Sequence, residues 1–373
     1  MTRSAAAPRP VRWLAALFAL PWAGELPADP QGSPTAAASA TDDLEEVRIT
    51  ATPLRRAATD TAQPVLMLDG DDLVRARGAT LAETLADQPG LSASSFGPIA
   101  SRPIIRGQGG LRVQLFQDGA DALDAAALSE DHAVTLDPML VERIEVVRGP
   151  AALLFGNAAS AGAVNAVTRR IPVEPLTRPF TAALEMRGDG AAGTRAAGAQ
   201  AGGRIGDRLQ VHADLHGSRS DELRIPGYAW SSRAREDFAA AGEAVDLGRD
   251  RLANSDGRAD GGSLGVAWLG DRQRYGVAAS RYGSEYSLPG LGHHPGDAPE
   301  VRLDMAQRRY DAYGEWRPVA GAVDTLRLRL ARNDYRHAEL EPDGSVGTRY
   351  AQSGEEIRLA AEHGAGGGRG VFG

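Results

Sequence analysis

Histidine lies close to carboxylate residues in two parts of the chain, and this combination binds divalent metal ions. Asp131 precedes His132 in a polar segment that begins at Ser129. His337 and Glu339 are two residues apart, so on an extended chain their side chains share one face. Imidazole and carboxylate groups are ligands of zinc, which favours four of them in a tetrahedron. The sequence therefore offers candidate zinc ligands around residue 131 and around residue 338.

Asp131 and His132 are adjacent, which constrains how they could bind one ion. On a regular strand, adjacent side chains point to opposite faces. The two residues can share a metal if the segment bends, and its polar character favours a turn. In a straight strand one of the two would be a ligand, with Glu130 as the reserve candidate.

A third group of candidate residues is predicted to lie in a loop. Residues 288–297 read LPGLGHHPGD, and their proline and glycine content predicts a loop. Four residues are predicted as possible loop contacts to a metal ion: His293, His294, Asp297 and His337. The alternative for the adjacent histidines is a solvated pair without a ligand.

Composition excludes several classes of function. The net charge of −8 and the pI of about 5.5 argue against binding to nucleic acid, which calls for a basic face. All 41 basic residues are arginine and cysteine is absent. The chain therefore lacks a P-loop lysine, a Schiff-base lysine and thiolate ligands. It has no His-Glu-x-x-His motif. We expect a protein that is not an enzyme and requires no cofactor.

Residues 85–172 must position the first candidate pair. Short apolar runs alternate with turns, a pattern typical of a small domain of short strands and one or two helices. Thr80 and Glu83 form a capping box that opens a helix, and Pro89-Gly90 ends it. Along the chain follow LADQPG, IIRGQ, a strand running into QDG, and VERIEVVRGPAALLFGNAASAGAVN. This series resembles the plug domain of TonB-dependent outer-membrane receptors, and the likeness covers roughly 110 residues.

The N-terminal residues fit the same resemblance. Residues 1–40 carry arginines, an apolar run and small residues, which together predict a secretory signal. Residues 41–63 are predicted to be a linker with a short β-prone segment that could add to the edge of a partner's sheet. This segment is similar to the TonB box of the family. The resemblance implies that TonB binds Glu46, Val47, Arg48, Ile49, Thr50 and Ala51.

The C-terminal half predicts strands. With 64–172 as the plug, residues 173–373 contain apolar and polar residues in alternation, as in transmembrane β-barrels or soluble sandwiches. The predicted spans are 180–187, 208–218, 263–269, 274–282, 308–316, 324–332 and 355–362. The plug resemblance favours an α+β plug followed by an antiparallel transmembrane β-barrel in the outer membrane of a Gram-negative bacterium. About seven to nine strands are expected of the roughly 22 that enclose a plug, so the barrel is predicted to be truncated.

Four segments narrow the resemblance. EDHAVTLD, SEYSLPGLGHH, RRYDAYGEW and RLRLARNDYRHAE are similar to the zinc-uptake branch of these receptors. That resemblance implies Asp131, His132 and Glu339 as zinc ligands, with a further histidine from a strand beyond residue 373. It implies active zinc transport, with TonB and outer-membrane lipid as partners. The alternatives are a receptor for a ferric siderophore, haem or cobalamin, and a fragment that binds TonB without transport.

Overall fold

The computed structural model describes residues 65–123, 125–149, 152, 159–242, 248–289, 301–365 and 368–373. The N-terminal elements are β1 (Val65–Asp69), α1 (Gly70–Ala76), α2 (Leu81–Ala86), β2 (Leu91–Ala93), β3 (Pro103–Ile105), β4 (Val113–Gln117), β5 (Ala120–Asp121), β6 (Val141–Arg148) and β7 (Gly162–Thr168). The C-terminal elements are β8 (Phe180–Gly188), β9 (Arg195–Ile205), β10 (Leu209–Ser220), α3 (Ser232–Ala240), β11 (Gly257–Leu269), β12 (Gln273–Leu288), β13 (Val301–Trp316), β14 (Val323–Leu340), β15 (Val346–Ala365) and β16 (Gly368–Phe372). In the described part of the chain, no helix combines the length and apolar character needed to cross a membrane.

The first elements form a small mixed sheet, which we call the plug. Its strand order is β1-β6-β7-β4-β5, with β4 and β7 parallel and the other pairs antiparallel. Both helices pack on an apolar core that includes Leu73, Leu85 and Ile144. Helix α2 begins as predicted, because the Thr80 side chain accepts a hydrogen bond from the Glu83 amide at 3.1 Å. The Glu83 carboxylate accepts hydrogen bonds from the backbone amides of Ala79, at 2.8 Å, and Thr80, as the capping box predicts.

A tight hairpin joins β4 to β5. Asp118 and Gly119 are its two loop residues, and both have positive φ angles, of 54° and 80°. Such a two-residue turn matches the twist of the flanking strands, and glycine adopts the left-handed region without steric cost. The Asp118 carboxylate accepts hydrogen bonds from the Thr168 amide and hydroxyl and pairs with Arg170 at 2.8 Å. Burial alone would raise the pKa of Asp118, but Arg170 and Thr168 hold the pKa below its ordinary value.

The remaining strands form a nine-stranded antiparallel sheet, which we call the wall. Each strand pairs with its neighbours in the sequence, from β8 at one edge to β16 at the other. Its exposed face carries large apolar side chains, including Leu184, Leu215, Leu264, Leu328 and Ile357. Its buried face carries polar side chains, including Gln210, Ser263, Gln307, Arg309 and Asn333. Apolar outward and polar inward is the pattern of a barrel wall in a membrane.

The predicted fold class is confirmed: a plug precedes part of an antiparallel barrel-type sheet. The nine observed strands agree with the expected seven to nine. The longest, β15, has 20 residues, whereas the predicted span 355–362 covers only part of it. Strand β9 had not been predicted, because its sequence RAAGAQAGGRI consists largely of alanine and glycine and shows no clear alternation.

Polar wall side chains bind the plug main chain. Arg309 donates hydrogen bonds to the carbonyls of Asp121 and Gln117. Asn333 donates to the carbonyls of Ala122 and Leu123, at 2.8 and 3.1 Å. These bonds fix plug residues 117–123 against β13 and β14. The segment that follows, which contains His132, is therefore held next to the same two strands.

Some predicted features lie outside the described residues. They are the signal segment 1–40, the TonB-box residues 46–51, and the loop residues His293, His294 and Asp297.

We expect Asp118→Ala to destabilise the plug by about 2–4 kcal/mol. The substitution removes hydrogen bonds to a charged carboxylate, and it leaves the buried guanidinium of Arg170 with one fewer carboxylate partner. Native-state hydrogen exchange of the β4 and β7 amides measures this loss. The control is Asp72→Ala, which breaks an exposed ion pair with Arg75 and should cost less than about 1 kcal/mol. Equal effects of the two substitutions would contradict the structural role assigned to Asp118.

Candidate metal centre

His132 lies in a bend on the face of the plug that meets the wall. Residues 130–132 form a turn that leads into a bend, and the His132 amide donates to the carbonyl of Ser129 at 3.2 Å. The next amide, that of Ala133, donates to the Tyr286 hydroxyl of β12 at 2.8 Å. This contact between plug and wall fixes the direction of the His132 side chain, which is buried.

Strand β14 contributes the facing side chains. Tyr335 and His337 are buried on the inner face, and Glu339 follows two residues later with a third of its side chain exposed. The Tyr335 hydroxyl lies 3.0 Å from His337 Nδ1, and the ring of Tyr350 on β15 stacks on the His337 ring. Hydrogen bonding on one side and stacking on the other hold the imidazole in one orientation.

Three ligand atoms converge between the plug and β14. His132 Nε2 is 3.3 Å from His337 Nε2 and 4.0 Å from Glu339 Oε1. His337 Nε2 is 3.9 Å from the same carboxylate oxygen. In tetrahedral zinc sites with ligand bonds near 2 Å, ligand atoms are separated by about 3.4 Å. The three atoms therefore have nearly the separations needed to bind one ion.

The hydrogen bonds on the far side of each ring favour metal binding. The Asp131 carboxylate lies 2.9 Å from His132 Nδ1 and accepts a hydrogen bond from a proton on that nitrogen, so Nε2 of the neutral ring carries the lone pair. When His337 Nδ1 donates to the Tyr335 oxygen, its Nε2 also carries a lone pair. Two lone pairs 3.3 Å apart repel unless a proton or a cation lies between them. A metal ion removes this repulsion, and the outer hydrogen bonds orient its ligands.

Asp131 is strongly acidic in this setting. The hydrogen bond from His132 lowers the pKa of Asp131 to about 2, against the opposing effect of partial burial, and Ser129 adds a second hydrogen bond. Asp131 is thus ionised at neutral pH and acts on His132. It is not one of the three groups whose ligand atoms lie within 4.8 Å of one another. Its role as a direct ligand stays a prediction.

The structure brings together His132 and Glu339, two of the three residues predicted as ligands, and adds His337. The placement of His337 among loop contacts was wrong, because the residue lies within strand β14. The reserve candidate Glu130 lies against Gly109. Sequence reasoning missed the supporting residues Tyr335 and Tyr286. The spacing of Tyr335, His337 and Glu339 at every second position could have identified Tyr335, whereas Tyr286 depends on tertiary contact.

The fold agrees with the comparisons to known proteins. Residues 57–163 match the family model described as the TonB-dependent receptor plug domain. This chain carries a TonB-dependent receptor plug. The expected localisation, the outer membrane of a Gram-negative bacterium, agrees with this match and with the solved outer-membrane receptor described next.

One similar protein is a hemin receptor of Yersinia pestis, 35% identical over 118 residues, which are 31% of this chain and 17% of that protein. Among solved structures, the alcaligin outer-membrane receptor of Bordetella pertussis superimposes with a TM-score of 0.59 at 18% identity, over 87% of this chain and 48% of that one. A copper transporter superimposes with a TM-score of 0.57 at 17% identity, over 80% of this chain and 43% of that one. The chain thus spans less than half of each solved structure, and these likenesses concern the fold.

We expect Tyr335→Phe to weaken zinc binding by about tenfold, because it removes the hydrogen bond that orients His337. The matched control is Tyr350→Phe, which keeps the stacked ring and loses a hydroxyl that bonds to Gln352. Zinc titration of the complete protein in detergent, against a competing chelator, compares the two. If the control weakens binding as much as Tyr335→Phe does, the hydrogen bond has no orienting role.

Proposed function

We propose that this chain belongs to a TonB-dependent transporter that takes up zinc across the outer membrane. The observation that carries the proposal is the convergence of His132, His337 and Glu339 at the boundary between plug and wall. Two imidazoles and a carboxylate suit zinc better than calcium or magnesium, which prefer oxygen ligands. A fourth ligand, from water or from a later strand, would complete the tetrahedron.

The donor arrangement favours a bare ion as cargo. The rings of His132 and His337 have centroids 4.6 Å apart, and both side chains are buried. A haem iron bound between two histidines needs open space for the porphyrin in the plane between the rings. The contact between these rings leaves no such plane. A metal ion, in contrast, needs only the space between the three ligand atoms.

The position of the centre suggests how uptake would work. His132 belongs to the plug, whereas His337 and Glu339 belong to the wall. Zinc would enter from outside and bind where Glu339 remains partly exposed. TonB would bind at residues 46–51 by strand addition and pull on the plug. Displacement of the plug separates His132 from the wall ligands, which lowers the affinity and releases the ion towards the periplasm.

A haem receptor is the second candidate function, favoured by one observation. The chain is 35% identical to a hemin receptor over 118 residues. The match covers 31% of this chain and 17% of that receptor, so most of the receptor lies outside it. Direct binding of hemin to the complete protein would favour this candidate over zinc.

We expect His132→Ala to weaken tight zinc binding by at least about 100-fold, because it removes the ligand contributed by the plug. His363→Ala is the control, since His363 stacks on Phe372 away from the centre. Titrations of the complete protein in detergent with zinc, copper and hemin identify the preferred ligand. Uptake of radioactive zinc by cells with and without TonB tests transport.

Two results would contradict the proposal. Zinc affinity that is equal in the His132→Ala variant and in the wild type would show that the centre does not bind zinc. Hemin binding tighter than zinc binding, unaffected by His132→Ala, would favour the haem receptor instead.

A further inference from the structure

The exposed face of the wall carries a groove on the side opposite the plug. Its volume is about 930 Å³, and it crosses strands β8 to β13. Small side chains, including Ala201, Ala213 and Ala279, form its floor, and Leu215 and Leu264 border it. Both leucines are well exposed. An open apolar groove of this size has room for a hydrocarbon chain, which gains dispersion contacts with the floor and the borders.

Two arginines lie at one end of this groove. Arg281 on β12 and Arg308 on β13 line it, and both are exposed. The strand register places them directly opposite each other, where like charges are destabilising. The nearest carboxylate to Arg281 is that of Asp260, at 3.7 Å. In the described part of the chain Arg308 forms no ion pair, because Asp334, its neighbour on β14, pairs with Arg332 at 3.5 Å. An anion between the two guanidinium groups would remove their repulsion.

The arginines lie at the outer edge of the apolar band of the wall. Close to the short connection 270–272, the exposed face carries Trp268, Tyr275 and Trp316, as the aromatic girdle of a membrane barrel does. From Trp316 to Arg308, strand β13 rises by about 27 Å. The strand tilt in a barrel reduces this to about 20 Å along the axis. Because apolar bands are about 25 Å tall, the arginines are at the height of lipid headgroups.

The long connection 221–256 indicates which leaflet these headgroups belong to. It joins β10 to β11 at the end of the wall opposite the connection 270–272. In outer-membrane barrels the long connections are extracellular and the short ones periplasmic. Arg281 and Arg308 lie on the long-connection side of the aromatic girdle, so their headgroup belongs to the outer leaflet.

Phosphate is the anion that best suits two adjacent guanidinium groups. Each guanidinium can form paired, charge-assisted hydrogen bonds with phosphate oxygens. A free phosphate ion would contact only the arginines. A phosphate attached to acyl chains would also fill the apolar groove that leads away from them. The combination of groove and arginines therefore favours a lipid over a free ion.

We propose that the groove, together with Arg281 and Arg308, binds a phosphate-bearing lipid of the outer leaflet. The lipid phosphate lies between the two guanidinium groups, and an acyl chain lies over Ala213 and its neighbours. This site is on the exposed face of the wall, whereas His337 of the metal centre is on the buried face. The proposal goes beyond zinc uptake and does not depend on it.

The test is lipid binding by the complete protein, purified in detergent and stripped of lipid. The probes are lipid A, a phosphorylated glycolipid, and phosphatidylcholine, whose headgroup has no net charge, with native mass spectrometry as the readout. We expect the double variant Arg281→Gln/Arg308→Gln to bind lipid A at least about tenfold more weakly than the wild type. The matched control is Arg349→Gln, which removes an exposed arginine of β15 outside the groove and should change nothing. Phosphatidylcholine should bind equally weakly to all three proteins.

A further variant, Ala213→Phe, distinguishes a lipid from a free phosphate ion. The larger side chain fills the floor of the groove, so we expect it to weaken binding of lipid A severalfold with both arginines present. Millimolar inorganic phosphate should not displace the bound lipid. Circular dichroism during heating checks that each variant is folded, and Arg308→Gln alone replaces the double variant if that protein does not fold.

Two results would overturn the proposal. Equal affinity of the arginine variant and the wild type for lipid A would show that the arginines hold no lipid phosphate. Displacement of lipid A by inorganic phosphate, with no effect of Ala213→Phe, would show that the arginines bind a free anion and that the groove has no role.

Discussion

Hydrogen bonds from wall side chains to plug carbonyls hold the two parts of the protein in register. Arg309 and Asn333 project from neighbouring strands and bind carbonyls in the plug segment 117–123, where a buried carbonyl without a partner would be costly. Because the turn with His132 follows nine residues after this segment, these bonds also determine which part of the wall it faces. The candidate metal centre depends on them, since two of its three candidate ligands are on β14.

Much of the fold could be predicted from local sequence. The capping box placed the start of α2 correctly, and the Asp118-Gly119 pair supplies the positive φ angles of the β4–β5 hairpin. Alternation identified the wall strands whose outward leucines and inward polar residues differ clearly. It failed for β9, where alanine and glycine occupy both faces and the strand is specified by pairing with β8 and β10.

The candidate centre was only partly predictable. The sequence indicates which residues share one face of a strand, but it does not indicate which plug residues that face will contact. The i, i+2 spacing correctly indicated that His337 and Glu339 share a face. It could not indicate that His132 would meet them, a result of the Ala133–Tyr286 hydrogen bond and the carbonyl bonds above. The resemblance implied that Asp131 and His132 bind one ion together, which for adjacent residues requires a bend in the chain. In the structure the Asp131 carboxylate is hydrogen-bonded to Nδ1 of His132, and Nε2 of that ring faces β14.

The division of the ligands between plug and wall has a mechanical consequence. A metal ion bound by both parts is a cross-link under load, and any force that moves the plug must also break its bonds. Each 1.4 kcal/mol of tighter binding makes scavenging of scarce metal tenfold more effective, and it adds the same amount to the work of extraction. Affinity and throughput would therefore oppose each other. For the proposed transporter, a centre of moderate affinity would balance capture of the ion against its release.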